Sequence, residues 1–246
     1  MNTNLQAIIP YCLFDEEHIR ECIDALLPVC DKVRISFSKK LWGGQSQNLD
    51  TIDQLKEEYK DVVFKEYTFE DLSNVWQIEN RSRSCLIEDA ISDNATHLLM
   101  MDSDEILDTK RFKSWWAEAD KTFPCFQFRC FWYFRDKKYR ATTTEQAGTL
   151  ARVDLHGSGP TDHSARNYYK RNGCNLVDYQ GIPIVHHYSW AKSKDHLMMK
   201  VLNWGHKGEK NWVSLVEQEF NRPFNGSDFI HGYAYEILER EFQNDL

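Results

Sequence analysis

The chain has 246 residues, 41% of them hydrophobic and 28% charged, and a formal net charge of -8. That is enough chain to bury a substantial core without disulfide or metal staples, and the composition excludes a disordered polypeptide. The acidic balance argues against a surface built as a whole for nucleic acid or anionic membrane, and no apolar run is long enough to cross a bilayer. Met1-Asn2-Thr3-Asn4-Leu5 lacks the basic and apolar regions of a secretory leader, and the 7 cysteines are odd in number with no C-x-x-C pair. A cytoplasmic protein with reduced thiols is expected.

Leu5 to Pro10 is a short apolar run ending in proline and reads as a buried strand. Asp15 stands where a helix N-cap would, and Ile19, Ile23, Leu26 and Leu27 share one helical stripe that closes at Pro28. Val33 to Phe37 alternates as a second strand. Leu41-Trp42-Gly43-Gly44-Gln45 is a glycine-bearing loop, Asp50 caps a helix running to Tyr59, and Val62 to Phe64 makes a third strand. Trp76 to Ile91 reads as a long helix, and Leu98 to Met101 as the fourth and most apolar strand. Repeated strand-helix-strand units predict parallel pairing through right-handed crossovers, with the ligand beyond the carboxyl ends of the strands. Tyr11, Ser36, Ser38, Asp102 and Asp104 all follow strands.

The second part reads differently. Arg111 to Asp120 is a helix, Cys125 to Phe134 a long strand expected to pair antiparallel, and Thr149 to Val153 and Ile182 to Val185 further strands. Lys192 to His206, Trp212 to Phe220 and Phe229 to Phe242 are helical by pattern. With no repeat or linker, one α/β domain over residues 1–246 is expected: a Rossmann-type mixed sheet flanked by helices, with a helical C-terminal layer. From Arg129 to Arg171 basic residues are interleaved with rings, a composition that suits an anionic acceptor or a solvated face.

Asp102 and Asp104 follow the apolar strand with one residue between them. In an extended or tightly turning segment such residues project to the same side, so both carboxylates can face one cation. Oxygen ligands suit Mg²⁺ or Mn²⁺, which need only one or two carboxylates when a substrate diphosphate supplies further oxygens. A metal so held neutralises charge on a departing nucleotide diphosphate.

Asn80-Arg81-Ser82-Arg83, a helix to Ala90, and His97-Leu98-Leu99-Met100-Met101-Asp102-Ser103-Asp104-Glu105 together resemble the glycosyltransferase family 2 pattern of a helix, an apolar strand and an Asp-x-Asp-Glu end. Ile8-Ile9-Pro10-Tyr11 with Glu16, Ile19, Cys22 and Leu26 is similar to that family's first strand and helix. Val185-His186-His187-Tyr188-Ser189-Trp190-Ala191-Lys192-Ser193, then Lys200 and Trp204-Gly205-His206, resembles its His-containing closing segment. The resemblance implies a GT-A-like fold, with residues 1–108 as the nucleotide-sugar-binding part, 109–206 as the acceptor and metal-closing part, and 207–246 as a helical extension. It implies Asp102, Asp104 and one of His186 and His187, with His187 preferred, as metal ligands to Mn²⁺ or Mg²⁺. Pro10, Tyr11, Arg81, Asp102 and Lys200 become donor-binding residues. The family often holds the base with an acidic pair after the second strand, where this chain has Ser36-Phe37-Ser38-Lys39-Lys40. Trp42, by stacking, and Asp50 are the replacements. For an inverting transfer the base that deprotonates the acceptor is expected at Asp162, in a glycine-rich loop, with Glu145 second.

The function implied is transfer of a sugar from a nucleotide-sugar donor to a hydroxyl of a saccharide or glycan. The alternatives are transfer to a hydroxylated base of DNA, favoured by the basic and aromatic middle segment, and a non-catalytic carbohydrate- or nucleic-acid-binding domain, which leaves the carboxylates without a task. A nucleotidyltransferase is expected to carry a glycine-rich phosphate loop after the first strand, and Pro10-Tyr11-Cys12-Leu13 has none.

Overall fold

In the computed structural model, which describes residues 3–70, 74–155 and 174–244, the first four strands are β1 (Leu5–Pro10), β2 (Lys32–Phe37), β3 (Val63–Glu66) and β4 (His97–Met100). They lie in the order β3-β2-β1-β4, all parallel. β1 and β4 are buried along their whole length, as their largely apolar sequences require of strands covered on both faces, and Gln6 and His97 are buried with them. The crossovers carry α1 (Ile19–Leu26), α2 (Asp50–Glu58) and α3 (Val75–Ser92). α1 turns Ile19, Cys22, Ile23 and Leu26 fully into the core; Ile19, Ile23 and Leu26 are on the predicted stripe, whereas Leu27, predicted with them, is the C-cap and is 38% exposed.

Both predicted helix caps in this half are corrected. Asp15 ends a short 3-10 turn (Leu13–Asp15), and His18 stands at the N-cap of α1. Asp50 is the first residue of α2, behind Leu49 as N-cap. Asp15 is drawn inward by a buried lysine, described below, which outweighs the local preference for a cap.

β5 (Glu105–Leu107) follows a tight turn, and α4 (Thr109–Glu118) is capped by the Asp108 carboxylate, which accepts from the Arg111 N–H at 2.9 Å. β6 (Cys125–Phe134) and β7 (Asp136–Arg152) form a long antiparallel ribbon turning at Arg135, whose φ is 64°. The predicted strand at Thr149 is only the end of β7, the end that pairs antiparallel with β4 and joins the two halves in one sheet, ten-stranded among the described residues. β8 (Cys174–Val177) and β9 (Val185–Trp190) both run parallel to β6. β9 thus begins where sequence pattern ended a strand, and the two histidines lie within it.

α5 (Lys194–Asn203) and α6 (Trp212–Phe220) form the helical C-terminal layer. The predicted helix from Phe229 to Phe242 does not form. The buried Asp228 carboxylate takes the backbone N–H groups of Ile230, His231, Gly232 and Tyr233, and the chain then pairs as β10 (Tyr235–Ile237) with Tyr139–Ala141 of β7. A carboxylate that satisfies four successive donors competes directly with the helical ladder.

The basic stretch does not make a positive face among the described residues. Arg129 pairs with Asp178, Arg135 with Glu219, Lys137 with Glu21, Lys138 with Asp136, Arg140 with Glu236 and Arg152 with Asp154.

Candidate active site

The chain leaves β1 toward β2 and β3 on one side and returns as β4 on the other, so the crevice beyond β1 and β4 is the topological switch point of the parallel half. A cleft of roughly 200 Å³ opens there, floored by Pro10 and Tyr11 after β1 and by Asp102 and Asp104 after β4. His187, Ser189 and Lys200 close it from the second half, and Trp42, Trp204 and His206 stand at its rim.

The turn after β4 sorts the three acidic residues. The Glu105 N–H donates to the Asp102 carbonyl at 3.0 Å, and Glu105 Oε2 accepts from the Asp102 N–H at 2.7 Å. Glu105 is therefore committed to the turn. Asp102 reaches the cleft, where Oδ1 accepts from Arg83 Nη2 at 2.5 Å; Arg83 also holds Glu79 at 2.8 Å, one turn back on α3.

Asp104 is 3% exposed and is shared between the two halves of the chain. Its Oδ2 accepts from Lys192 Nζ at 2.6 Å and lies 3.4 Å from Lys200 Nζ, while Oδ1 lies 3.4 Å from His187 Nε2. The antiparallel register of β5 with β9 pairs Glu105 with His187, which sets the imidazole beside the carboxylate. Lys192, whose side chain is fully buried, also holds Asp15 Oδ1 at 2.8 Å, and Ser103 Oγ donates to the other Asp15 oxygen at 3.0 Å. Lys200 donates to Ser189 Oγ at 2.6 Å and to the Ser189 carbonyl at 2.9 Å.

Two carboxylates and two ammonium groups thus share one buried knot. Burial raises the Asp104 carboxyl, but Lys192, Lys200 and His187 outweigh it and hold it well below the ordinary carboxylate range. Asp15 goes the other way: burial raises it, and the Asp104 charge adds to that against the pull of Lys192. Burial lowers Lys192, yet Asp104 and Asp15 more than restore its charge. Lys200 is lowered, by burial and by Lys192.

Strand alternation separates the two histidines. His187 faces the cleft. His186 faces the other side, where its Nδ1 lies 2.7 Å from the Tyr133 hydroxyl and its ring stacks on Phe242 at 3.5 Å. Burial drives its pKa well down, with Arg111 and Arg140 adding to the effect, so the ring is neutral.

The donor set can be tested against a divalent cation. Among the described residues no three His, Cys, Asp or Glu side chains gather as a complete site. Asp104 Oδ1 and His187 Nε2, at 3.4 Å, present the edge of a coordination shell, and Asp102 lines the same cleft. Such an edge suits an ion whose remaining ligands come from a substrate diphosphate.

The structure gathers Pro10, Tyr11, Trp42, Asp102, Asp104, His187 and Lys200 at one cleft. Trp42 donates from Nε1 to the Tyr67 hydroxyl at 3.0 Å and meets Phe14 edge-on at 6.1 Å. Arg81 points outward on α3, and Arg83 is the arginine in the cleft. Asp50 is exposed and bonded by Asn48 at 2.9 Å, away from the cleft. Glu145, on β7, accepts from the Tyr233 hydroxyl and does not line the cleft. Asp162 lies outside the described residues.

Sequence reasoning missed Asp15, Arg83, Ser189 and Lys192. A signal existed for Arg83: Ser82, Cys85, Leu86 and Ala90 mark the buried face of α3, which turns Arg83 inward and Arg81 out. For Lys192 and Asp15, which are 177 residues apart, there was none.

No protein-family model and no curated protein matches the chain. Solved structures similar to it include residues 1–349 of TarS from S. aureus, at 10% identity over 97% of this chain and 98% of that one with a TM-score of 0.47. The inositol-1-phosphate CTP transferase from T. maritima is similar at 8% identity over 84% and 97%, with a TM-score of 0.49. The 4-diphosphocytidyl-2C-methyl-D-erythritolsynthase from Anaerococcus prevotii is similar at 10% identity over 80% and 94%, with a TM-score of 0.43. The likeness is one of chain path and assigns no residue a role.

Proposed function

We propose that this chain is a glycosyltransferase that moves a sugar from a nucleotide-sugar donor to a hydroxyl of a saccharide acceptor, with Mn²⁺ or Mg²⁺ as cofactor. The observation that carries the reading is the cleft at the switch point, where a carboxylate-imidazole edge (Asp104 and His187) sits among Lys192, Lys200 and Arg83. A donor diphosphate needs positive charge, and a transferase needs that charge where the leaving group departs.

In this reading the acceptor oxygen bonds to the anomeric carbon as the bond from that carbon to the diphosphate oxygen breaks, and the nucleoside diphosphate leaves with the electron pair. A divalent ion held by Asp104 and His187, with Asp102 nearby, would supply Lewis-acid stabilisation of that leaving group. Lys192 fixes Asp104 in place and keeps it ionised. Lys200 and Arg83 add charge along the path of the phosphates, and Trp42 stands at the rim as a stacking face for the base or sugar. Asp162 is the proposed acceptor of the hydroxyl proton.

The test is release of nucleoside diphosphate from a panel of nucleotide sugars with and without Mn²⁺. Cleavage that needs the metal and is lost in Asp104→Asn supports the reading. No cleavage and no thermal shift with any donor would overturn it, and release of pyrophosphate from a nucleoside triphosphate and a sugar phosphate would replace it with nucleotidyl transfer.

A further inference from the structure

The C-terminal segment, expected as a helix, instead brings rings toward the cleft. Asp228, 6% exposed, holds the turn: its Oδ1 accepts the N–H of Ile230 at 2.7 Å and of Gly232 at 3.2 Å, and its Oδ2 accepts the N–H of Tyr233 at 3.1 Å and the Tyr235 hydroxyl at 2.8 Å. Gly232 sits at φ 74°, where a side chain would be strained. The turn is thereby fixed before any ligand arrives. It presents His231, exposed, stacked at 4.8 Å on the half-buried Tyr233. His231 also meets Trp132 edge-on at 5.1 Å, and Trp132 meets His187 edge-on at 4.9 Å. His231 is therefore two ring contacts from the imidazole of the cleft. Tyr233 is anchored in turn by its hydroxyl on Glu145.

The charge around these rings is acidic or balanced. Glu145 and Asp228 accept from Tyr233 and Tyr235, Lys210 Nζ lies 3.4 Å from the Ile230 carbonyl of the same turn, and Arg140 of the ribbon is paired with Glu236 of β10 at 2.7 Å. A polyanion would meet two carboxylates beside the Lys210 ammonium and so gain little net counter-charge here. A neutral sugar ring has what the surface asks for: C–H faces to lie on aromatic rings and hydroxyls to donate to a carboxylate.

We propose that His231 and Tyr233, with Glu145, form the acceptor platform, a stacking site for a neutral saccharide ring beside the cleft. This rests on the transferase reading above. The platform is separate from the donor site, so the two can be lost independently.

The experiment applies the fluorescently labelled full chain, with Mn²⁺ and uridine diphosphate, to one slide carrying neutral oligosaccharides, sialylated oligosaccharides and single-stranded DNA. Donor cleavage by water is followed in solution with the same preparations, and thermal unfolding checks each variant's fold. Retention on a neutral oligosaccharide is expected, weakened about tenfold in His231→Ala and in Tyr233→Ala. Tyr233→Phe, which keeps the ring and loses the bond to Glu145, should weaken it less, and donor cleavage should persist in all three. The platform is overturned if no neutral saccharide is retained, if retention survives both alanine variants, or if DNA is retained instead. Saccharide retention through these rings by a wild-type chain that cleaves no donor would remove the transferase reading and leave the platform in place.

Discussion

Two buried carboxylates show what separates a site from a strut. Glu219 on α6 is 1% exposed and clasped by Arg135 at 3.1 Å and Arg222 at 3.0 Å. Asp104 is buried almost as deeply and is clasped by two lysines, yet one of its oxygens is left toward an imidazole and an open cleft. Glu219 tethers the β6-β7 turn to the helical layer and lines no such cleft. Depth of burial and number of cations are the same in kind. What differs is whether a face of the carboxylate remains turned to space a ligand can enter, so a buried ion pair by itself says little about function.

The sharpest way to break this contrast is Asp104→Asn. Donor cleavage should fall on the order of 1000-fold, read as nucleoside diphosphate released in a single turnover. Because the change leaves two buried lysines facing the single Asp15 carboxylate, stability should also drop by about 3 kcal/mol. Retained turnover would make Asp104 a strut like Glu219. The mirror experiment is Glu219→Gln, expected to cost about 2 kcal/mol in urea unfolding and to leave turnover per folded molecule unchanged.

Arg83→Met probes the flank of the cleft. The loss of a guanidinium should raise the donor KM about tenfold with a smaller change in kcat; an unchanged KM would assign Arg83 to holding Asp102 and Glu79 alone.

The smallest effect concerns pH. His196 at the start of α5 is bonded to Glu17 at 2.5 Å and faces Glu16 at 3.6 Å, which ties the helix to the chain after β1. The hydrogen bond to Glu17 raises the His196 pKa against burial. Burial raises Glu17, but the bonds from His196 and Ser193 outweigh it and bring it to about 2. The folded state binds the His196 proton more tightly than the unfolded chain, so that stabilisation is full below 6.5 and fades as pH rises through the raised folded value. The Glu17 contribution is full above 4.5 and fades as pH falls from there toward 2. Stability from this pair should therefore peak between those limits and decline above them by less than about 1 kcal/mol, given its partial exposure. His196→Gln should flatten the alkaline side of a stability-pH curve; an unaltered slope would refute the coupling.

The parallel half was legible in the residues. β1, β2, β4 and the stripe of α1 apart from Leu27 stand where apolar runs and spacing put them, and Asp102 and Asp104 follow the end of β4 as the sequence predicts. The second half was not legible to the same degree. β5 has only three residues, β8 carries no apolar run, and β9 begins where pattern placed an ending, because its pairing with β6 and β5 draws on neighbours remote in sequence. The tail from Phe229 carries a helical pattern that a single buried aspartate overrides.

Local chemistry therefore decided the alternation of strands and helices and the acidic mouth of β4, since hydrophobic period and strand ends are properties of neighbouring residues. Only the tertiary structure decided which charges meet there. Lys192 reaches Asp104 across 88 residues and Asp15 across 177, the register of β9 selects His187 over His186, and the face of α3 selects Arg83 over Arg81. Each of those choices depends on how one element lies against another.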